Sequence, residues 1–484
     1  MTISALRARF GRQPLAVIAA ASCFAAASLA AQRPTLSANV RKYVSIDTPT
    51  IVLTHARVID GTGAPPRENQ TVVIRDGRIA ALGDAASVQA PAGAQIIDLT
   101  GKSVIPGLVM MHEHLYYPTG GGTYANLSES FTRLYLAGGV TSMRTAGNSN
   151  GYGEINIANE IRRGEKPGPW IDATAPYLTG PGLHITQFYE LENAADATRM
   201  ASFWADAGAT SFKAYMTITR AELAAAVKEA HRRGLKITGH LCSVTYREAA
   251  ALGIDDLEHG FFVSTDFAPD KKPDVCPGQK AGMTALAAVD PNGAAFKSLV
   301  ADLVAHHVAL TSTLTVFETF AAGQPEPPGL DVLDPILEDD FRKFRAKLEA
   351  KKDPFYPDLF AKERKMEVQF VRAGGLLLAG TDPTGAGGVV PGYSDQRQIE
   401  LLVGSGFSPL EAIRICTLNG ATYLGKTKDI GSIAVGKQAD LVVIDGNPAA
   451  NVSDIRKVET VFKQGVGYDP AKLIASVKGK VGLF

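Results

Sequence analysis

The sequence predicts an α/β protein: a (β/α)8 TIM-like barrel with a small β-sandwich domain formed from the N- and C-terminal segments. Three observations predict this fold class. Eight short apolar strand candidates alternate with helical patterns through the middle of the chain. Two of the intervening helices begin with clear capping boxes. Strand patterns without helices flank this region on both sides, at 50–106 and 428–470. From periodicity alone, an open doubly wound sheet is the alternative to a barrel.

The overall composition is typical of a folded globular protein. Of the 484 residues, 45% are hydrophobic and 20% are charged, values that argue against a disordered chain. The formal net charge is zero, so no basic field attracts nucleic acid and we expect no nucleic-acid partner. None of the four cysteines forms a CxxC pair, which argues against a cysteine-held zinc site or a disulfide framework.

Residues 1–31 are typical of a signal peptide. A basic segment precedes an apolar, alanine-rich run at 15–31, and Ser28-Leu29-Ala30 offers a small-x-small cleavage site. The run is short for a membrane span and poor in leucine. We therefore expect cleavage, an exported protein that is periplasmic or secreted, and no stable membrane insertion. An uncleaved anchor, or a lipoprotein modified at Cys23, is the alternative.

The two ends of the mature chain are predicted to build one small β domain from 50–106 plus 428–470. The N-terminal part has strand-like segments at 51–53 and 71–75, and the Asp76-Gly77 pair after them is a hairpin turn signal. The C-terminal part has two more short strands, within 440–462. Because chain termini often lie close together, these strands can complete one sheet.

The central region, 107–427, is predicted to form the barrel. Capping boxes begin two of its helices, at Thr219 and Thr245, and its continuously apolar strands are typical of a parallel sheet buried on both faces. Two long connections, 260–295 and 315–358, follow strands six and seven and should lie on the catalytic face. The eight strand candidates are 107–112, 140–145, 171–177, 209–216, 235–240, 255–259, 309–314 and 376–381.

Side chains that bind metals recur where the predicted barrel strands end. His112 and His114 close strand one, and because side chains on a strand alternate, both imidazoles can face the barrel mouth with Glu113 turned away. Neutral imidazoles at this spacing suit zinc or a similar metal. Taken singly, each candidate is as typical of a loop or a packed core, and their shared end of the barrel is what indicates a metal site. The further candidates, on strands five, six and eight, are His240, His259 and Asp382.

Lys213 ends strand four, among these histidines. An ammonium group there would repel a metal cation. A lysine that has reacted with carbon dioxide is instead an anion with two oxygens, and it could bridge two metals. A surface lysine at a strand end is the alternative.

The set His-x-His, Lys, His, His and Asp on strands one, four, five, six and eight resembles the binuclear-metal branch of the amidohydrolase superfamily. Within that superfamily the chain looks most like the imidazolonepropionase-like group, which includes metal-dependent prolidases, Xaa-dipeptidases and ochratoxinase-like carboxypeptidases. The resemblance covers roughly residues 50 to 465. It is carried also by flanking segments, at 56–63, 104–109, 417–421 and 431–442.

The resemblance implies a metal-dependent amidohydrolase that cleaves an amide or peptide bond in a dipeptide, an N-acyl amino acid or an ochratoxin-like amide. Two divalent metal ions, with zinc favoured, would be bridged by carboxylated Lys213 and by a hydroxide. Asp382 would act as general base and then as general acid. The first metal would be held by His112, His114 and Asp382, and the second by His240 and His259.

Three further residues are candidates for contacts with the substrate. His184 follows strand three and could donate to the carbonyl or oxyanion, a catalytic role, although a loop histidine would look the same. Tyr215 lies two residues past Lys213 and faces the same side, as a substrate contact or as a packed aromatic. Arg144 ends strand two and could pair with a substrate carboxylate, with a structural ion pair as the alternative.

Two other functions remain open at this point. The same binuclear site could serve a cyclic amide, lactone or phosphoester hydrolase. A periplasmic binding protein could have kept the barrel without catalysis, although the full set of expected ligands argues against it. The resemblance also implies a small-molecule or dipeptide-like substrate and a homo-oligomer.

Overall fold

A computed structural model of the chain describes residue 2 and residues 34–483, apart from 121, 122, 184 and 186. The predicted signal peptide, residue 2 aside, and the candidate His184 therefore lie outside the described residues. The segment Pro34–Phe484 is one compact unit that contains both the barrel and the small sheet.

The strands of the described residues are, in chain order, β1 (Val44–Ile46), β2 (Thr50–Val58), β3 (Arg67–Arg75), β4 (Arg78–Asp84), β5 (Gln95–Asp98), β6 (Ser103–Pro106), β7 (Leu108–Glu113), β8 (Tyr116–Pro118), β9 (Tyr124–Asn126), β10 (Val140–Thr145), β11 (Trp170–Asp172), β12 (Ser211–Ala214), β13 (Lys236–Gly239), β14 (Asp256–Glu258), β15 (Ala309–Ser312), β16 (Leu377–Ala379), β17 (Leu441–Ile444), β18 (Val458–Lys463) and β19 (Val466–Tyr468).

The α-helices of the same residues are α1 (Ala38–Arg41), α2 (Ser128–Ala137), α3 (Tyr152–Arg162), α4 (Ala194–Ala207), α5 (Arg220–Arg232), α6 (Tyr246–Ala251), α7 (Gln279–Ala287), α8 (Ala294–Ala305), α9 (Leu314–Glu318), α10 (Pro335–Lys351), α11 (Phe355–Arg372), α12 (Tyr393–Ser405), α13 (Pro409–Arg414), α14 (Gly420–Tyr423) and α15 (Pro470–Ala475). Among the described residues, none of these helices is long and apolar enough to cross a bilayer.

The small β domain is built from both ends of the chain, as predicted. Its strand order is β1-β19-β18-β17-β6-β2-β3-β4, with β5 paired to β2, so the two terminal segments form one continuous hydrogen-bonded sheet. Alternate residues of these strands bury their apolar side chains in a separate core, for example Leu53, Val72 and Leu441. Between the N-terminal strands, Asp76 and Gly77 have positive φ, which fits the turn that the sequence predicts.

Eight parallel strands, β7 and β10–β16, form the barrel. The ring closes at two seams: Ala175 N–H donates to the Ser211 oxygen at 2.9 Å, and Thr381 N–H donates to the His112 oxygen at 3.0 Å. All eight predicted strands are present. The third is shorter than predicted, because beyond Asp172 the chain pairs with β12 only through isolated bridges.

The helices that follow the strands bury one face against the barrel. Thr219 and Thr245 cap α5 and α6 with complete capping boxes, as the sequence predicts. The two long connections are not structureless: α7 and α8 follow β14, and α9, α10 and the start of α11 follow β15. These helices place additional side chains over the carboxyl ends of the strands, where barrel enzymes build their sites.

One disulfide joins Cys242 to Cys276, with Cα atoms 4.8 Å apart, and Cys416 is free and buried. The sequence predicts no disulfide framework, and the one disulfide among the described residues corrects that prediction. The two partners come from different connections, after β13 and after β14, and only the fold brings them together.

Candidate metal centre

His112 and His114 project to one side at the end of β7, as their spacing predicts. His112 Nδ1 lies 2.6 Å from Glu258 Oε2, and His114 Nδ1 lies 3.2 Å from the Gly147 backbone oxygen. A carboxylate and a carbonyl can only accept, so each Nδ1 carries the hydrogen and donates it. The free lone pair of each ring is then on Nε2, which lies 3.7 Å (His112) and 3.3 Å (His114) from Asp382 Oδ1.

His240 and His259 form the opposite wall. Their ring centroids are 4.5 Å apart, and the His259 ring lies 4.6 Å from that of His112. Among the described residues, the buried Nε2 of His240 has no hydrogen-bond partner. A buried polar atom without a partner is rare and needs an explanation, and a bound metal ion would supply one.

The backbone turns sharply at two of the candidate ligands. His259 has φ 69° and Asp382 has φ 53°, a left-handed conformation that is uncommon outside glycine. Such conformations cost about 1–3 kcal/mol each and cluster at functional sites, where the surrounding structure holds them. At Asp382 the backbone N–H donates to the His112 oxygen at 3.1 Å, which fixes the carboxylate beside the histidines.

Burial sets the charge of the cluster. It lowers the pKa of His114 to about 4 and, with Lys213 nearby, that of His240 to about 3, so both rings are neutral, the form that binds metals. Burial alone would raise the pKa of Asp382, but interactions with the neighbouring histidines, His112 above all, outweigh burial and hold that pKa well below the ordinary value. Burial lowers the pKa of Lys213.

The structure brings all six predicted ligands to one cavity of about 140 Å³. The donor atoms of His112, His259 and Asp382 all lie within 4.8 Å of one another. Neutral imidazoles, a carboxylate and a buried lysine converge here, and this donor set fits divalent metal ions. The six residues are His112, His114, Lys213, His240, His259 and Asp382.

Arg144 does not face this cavity, and the idea that it binds a substrate carboxylate needs correction. Its side chain is buried inside the barrel, where Nη2 donates to Asp256 at 2.6 Å and to Glu258 at 2.9 Å, and Nε donates to the Met111 oxygen at 2.8 Å. The guanidinium therefore forms the structural ion pair that was the alternative.

Glu258 is a buried residue that sequence reasoning missed. Besides His112 and Arg144, its carboxylate accepts from Thr238 at 2.6 Å and lies 3.5 Å from Lys213 Nζ. Burial would raise the pKa of Glu258, but the hydrogen bond from His112 and the charges of Lys213 and Arg144 hold it well below its ordinary value. Glu258 therefore orients one candidate ligand and neutralises the charge behind another.

Glu113, to which sequence analysis gives no role, points away from the cavity and ties strand one to strand eight. Its carboxylate accepts from the backbone N–H of Thr381 at 3.0 Å and from the Thr381 hydroxyl. Because Thr381 directly precedes Asp382, this contact positions the carboxylate at the site.

Tyrosines line the cavity, and Tyr116 and Tyr177 among them are not predicted from the sequence. Tyr215, the predicted substrate contact, lies with its ring 4.9 Å from that of His240 and 4.7 Å from that of Tyr177. Tyr177 in turn hydrogen-bonds with the hydroxyl of Tyr116. Periodicity gives no signal for them, because Tyr116 begins the short hairpin strand β8 and Tyr177 lies in the irregular segment after β11.

Comparisons with known proteins agree with this fold. The chain matches the amidohydrolase family over residues 103–272 and 363–468. It is 23% identical over 421 residues to the enamidase of Eubacterium barkeri, covering 84% of this chain and 89% of the relative. It is 25% identical over 430 residues to the imidazolonepropionase of Maricaulis maris, covering 83% and 94%. The crystal structure of a Bifidobacterium longum protein assigned as a prolidase is similar with a TM-score of 0.66 and 25% identity, covering 88% of this chain and 98% of that one.

A barrel with histidines, a lysine and an aspartate gathered at the ends of its strands is the architecture of a hydrolytic metalloenzyme. The family match extends over more than half of the sequence, and the chain belongs to the amidohydrolase family. It is accordingly an enzyme, a metal-dependent hydrolase of that family, which sets aside the non-catalytic alternative.

Proposed function

We propose that this protein hydrolyses an amide or peptide bond of a small molecule, with two divalent metal ions at the cluster and Asp382 as the proton carrier. The observation that carries the proposal is the convergence of six candidate ligands from five strands on one cavity. The enamidase relative and the neighbour assigned as a prolidase support an amide as the substrate.

The chain offers two groups of donors for the metals. His112, His114 and Asp382 would hold one ion, and His240 and His259 the other. Lys213, as its carbamate, would contact both ions. Carboxylation would replace a buried cation among the imidazoles with an anion, and this change of charge supports the modification. Divalent metals at such a site lower the pKa of water and polarise carbonyl groups, and zinc suits these ligands.

Asp382 is the group that would move the proton. Its carboxylate lies 3.3 Å from His114 Nε2 and 3.7 Å from His259 Nδ1, and it lines both the small cavity and the larger one beside it. It would accept a proton from the attacking water and deliver it to the nitrogen as the C–N bond breaks. Tyr215 would contact the substrate, and His184 keeps its predicted role as a donor to the carbonyl oxygen.

Asp382→Asn tests the proposal. We expect a loss of roughly 100- to 10,000-fold in kcat, the contribution of general acid–base catalysis, over a panel of dipeptides, N-acyl amino acids, cyclic amides, lactones and phosphoesters. Asp206→Asn, on the exposed surface, is the control and should keep full activity. The panel also separates amides from the other bond types on the same site.

Metal analysis completes the test. We expect about two metal ions per chain, activity that is lost on chelation and restored by zinc, and a mass increase on Lys213 from the carbamate. Full turnover of amides by the stripped enzyme, or Asp382→Asn within tenfold of the wild type, would contradict the proposal.

We also propose that the protein is exported. The Cys242–Cys276 disulfide supports this proposal, because structural disulfides form in oxidising compartments and are rare in the cytosol. Detection of the cleaved chain in a periplasmic or secreted fraction would test it. The homo-oligomer stays a prediction, which the solution mass of the purified enzyme would check.

A further inference from the structure

A second cavity of about 370 Å³ opens beside the metal cavity. The two cavities share lining residues, among them Tyr215, His240 and Asp382. A single substrate molecule could therefore place its scissile bond at the cluster and another group in the larger cavity. The far walls come from the two long connections that follow strands six and seven. We call this part the aromatic pocket; its residues are Phe262, Met283, Val316, Phe317, Phe320 and Tyr356.

The aromatic pocket is held by packing within the connections that build it. Phe262 and Phe317 stack with centroids 3.7 Å apart and planes 10° from parallel. The Phe320 and Tyr356 rings lie 6.0 Å apart. Cys276 lies three residues before α7, the helix that carries Met283, and its disulfide to Cys242 fixes that wall to the segment after β13.

Charge is the second observation. Among the described residues that line the larger cavity, Asp382 is the one carboxylate, and none is a lysine or an arginine. Arg144, the candidate for binding a carboxylate, is occupied inside the barrel. At the far walls of the aromatic pocket, away from the metal cluster, a carboxylate would lose hydration without gaining a cationic side chain, which is costly.

From these two observations we infer that the substrate carries a bulky, uncharged aromatic group on one side of its scissile amide, and that the aromatic pocket binds it. An engineered cavity of about 150 Å³ holds one benzene, so a cavity of about 370 Å³ has room for a two-ring group. The inference rests on the proposed function and narrows its substrate class. A free carboxylate on that side of the amide should lower kcat/KM.

Two matched substrate series test the inference. The acyl series contains the methylamides of acetic, naphthylacetic and carboxynaphthylacetic acid; the amine series contains acetyl derivatives of methylamine, naphthylmethylamine and its carboxylated analogue. In one series the neutral naphthyl compound should exceed both others in kcat/KM by about tenfold or more, the range expected for burial of an aromatic group. Equal values within both series would overturn the inference.

Met283→Lys should largely remove the preference for the neutral compound. A cation in the pocket gives the carboxylate a partner, so the ratio of kcat/KM for the carboxylated over the neutral naphthyl compound should rise about tenfold. Met200→Lys is the matched control, because Met200 is also a partly buried helical methionine but lines neither cavity. An unchanged ratio in Met283→Lys, with the fold intact by circular dichroism, would count against the pocket.

Binding of N-phenylnaphthylamine, an uncharged fluorophore, separates this inference from the proposed function. Fluorescence that rises with the wild type and falls severalfold with Met283→Lys supports the pocket even if no amide is turned over, in which case only the proposed function fails. Amide turnover without probe binding and without aromatic preference would instead leave the proposed function standing and refute the pocket.

Discussion

Glu258→Gln removes one buried charge without replacing a candidate metal ligand. The carboxylate accepts from His112 Nδ1 at 2.6 Å and from Arg144 Nη2 at 2.9 Å, and Lys213 Nζ lies 3.5 Å away. A glutamine amide keeps one accepting oxygen, and its NH2 group would face donors. One of the two charged hydrogen bonds must therefore be lost.

The expected cost follows from these contacts. Breaking a buried ion pair by removing one partner costs about 3–5 kcal/mol, and the lower end applies because Arg144 keeps Asp256 at 2.6 Å. We therefore expect a loss of about 3 kcal/mol in the free energy of unfolding. Since the change also frees the His112 ring, metal affinity should fall by roughly 10- to 100-fold.

Urea unfolding of the metal-free protein measures the first quantity, and chelator competition measures the second. The control is Glu154→Gln, because Glu154 is equally buried but, among the described residues, forms no hydrogen bond or ion pair with a candidate metal ligand. It should leave metal affinity unchanged. If Glu258→Gln unfolds within about 0.5 kcal/mol of the wild type, a change typical of surface substitutions, and holds metal equally well, the reasoning is wrong.

Three other measurements concern two buried carboxyl groups and the disulfide. Burial raises the pKa of Glu154 from 4.5 to about 8, so between these pH values the folded state holds a proton that the unfolded state has released. The free energy of unfolding should therefore fall as pH rises through this range, by up to about 1.4 kcal/mol per pH unit. The pH-dependent unfolding of Glu154→Gln should show a shallower decline. The disulfide closes a loop of sequence separation 34, worth roughly 4 kcal/mol by loop entropy, so the double Cys242→Ser/Cys276→Ser variant should melt lower than the wild type and, unlike it, ignore reductant. Glu113→Gln should lower kcat with metal content less affected, because Glu113 holds the residue before Asp382; unchanged kinetics would refute that role.

The sequence predicts much of the barrel because two simple rules apply to it. Continuously apolar strands between capped helices indicate a parallel sheet, and the carboxyl ends of such strands meet at one face. The rule of alternating side chains places His112 and His114 together and turns Glu113 away, and the structure agrees. All six predicted ligands reach one cavity for the same reason.

The same alternation fails at His259. Glu258 and His259 are consecutive, so alternation would send them to opposite faces, yet both lie at the cluster. The left-handed backbone at His259, with φ 69°, redirects the chain after Glu258. No sequence pattern predicts this left-handed conformation. Arg144 was open to misinterpretation for a related reason: its partners Asp256 and Glu258 lie on a distant strand, and only the closed barrel shows that its charge is already matched.

In the small sheet β6 pairs with β17, with Ser103 opposite Ile444. The edge of β6 is therefore covered only in a chain that includes β17. The whole barrel lies between these two strands, so a shortened or nicked chain that lacks β17 would leave β6 as an open edge. Unpaired edges of apolar strands are templates for aggregation. Premature termination, or proteolytic loss of the chain from β17 onward, should therefore yield insoluble protein rather than a weakened enzyme.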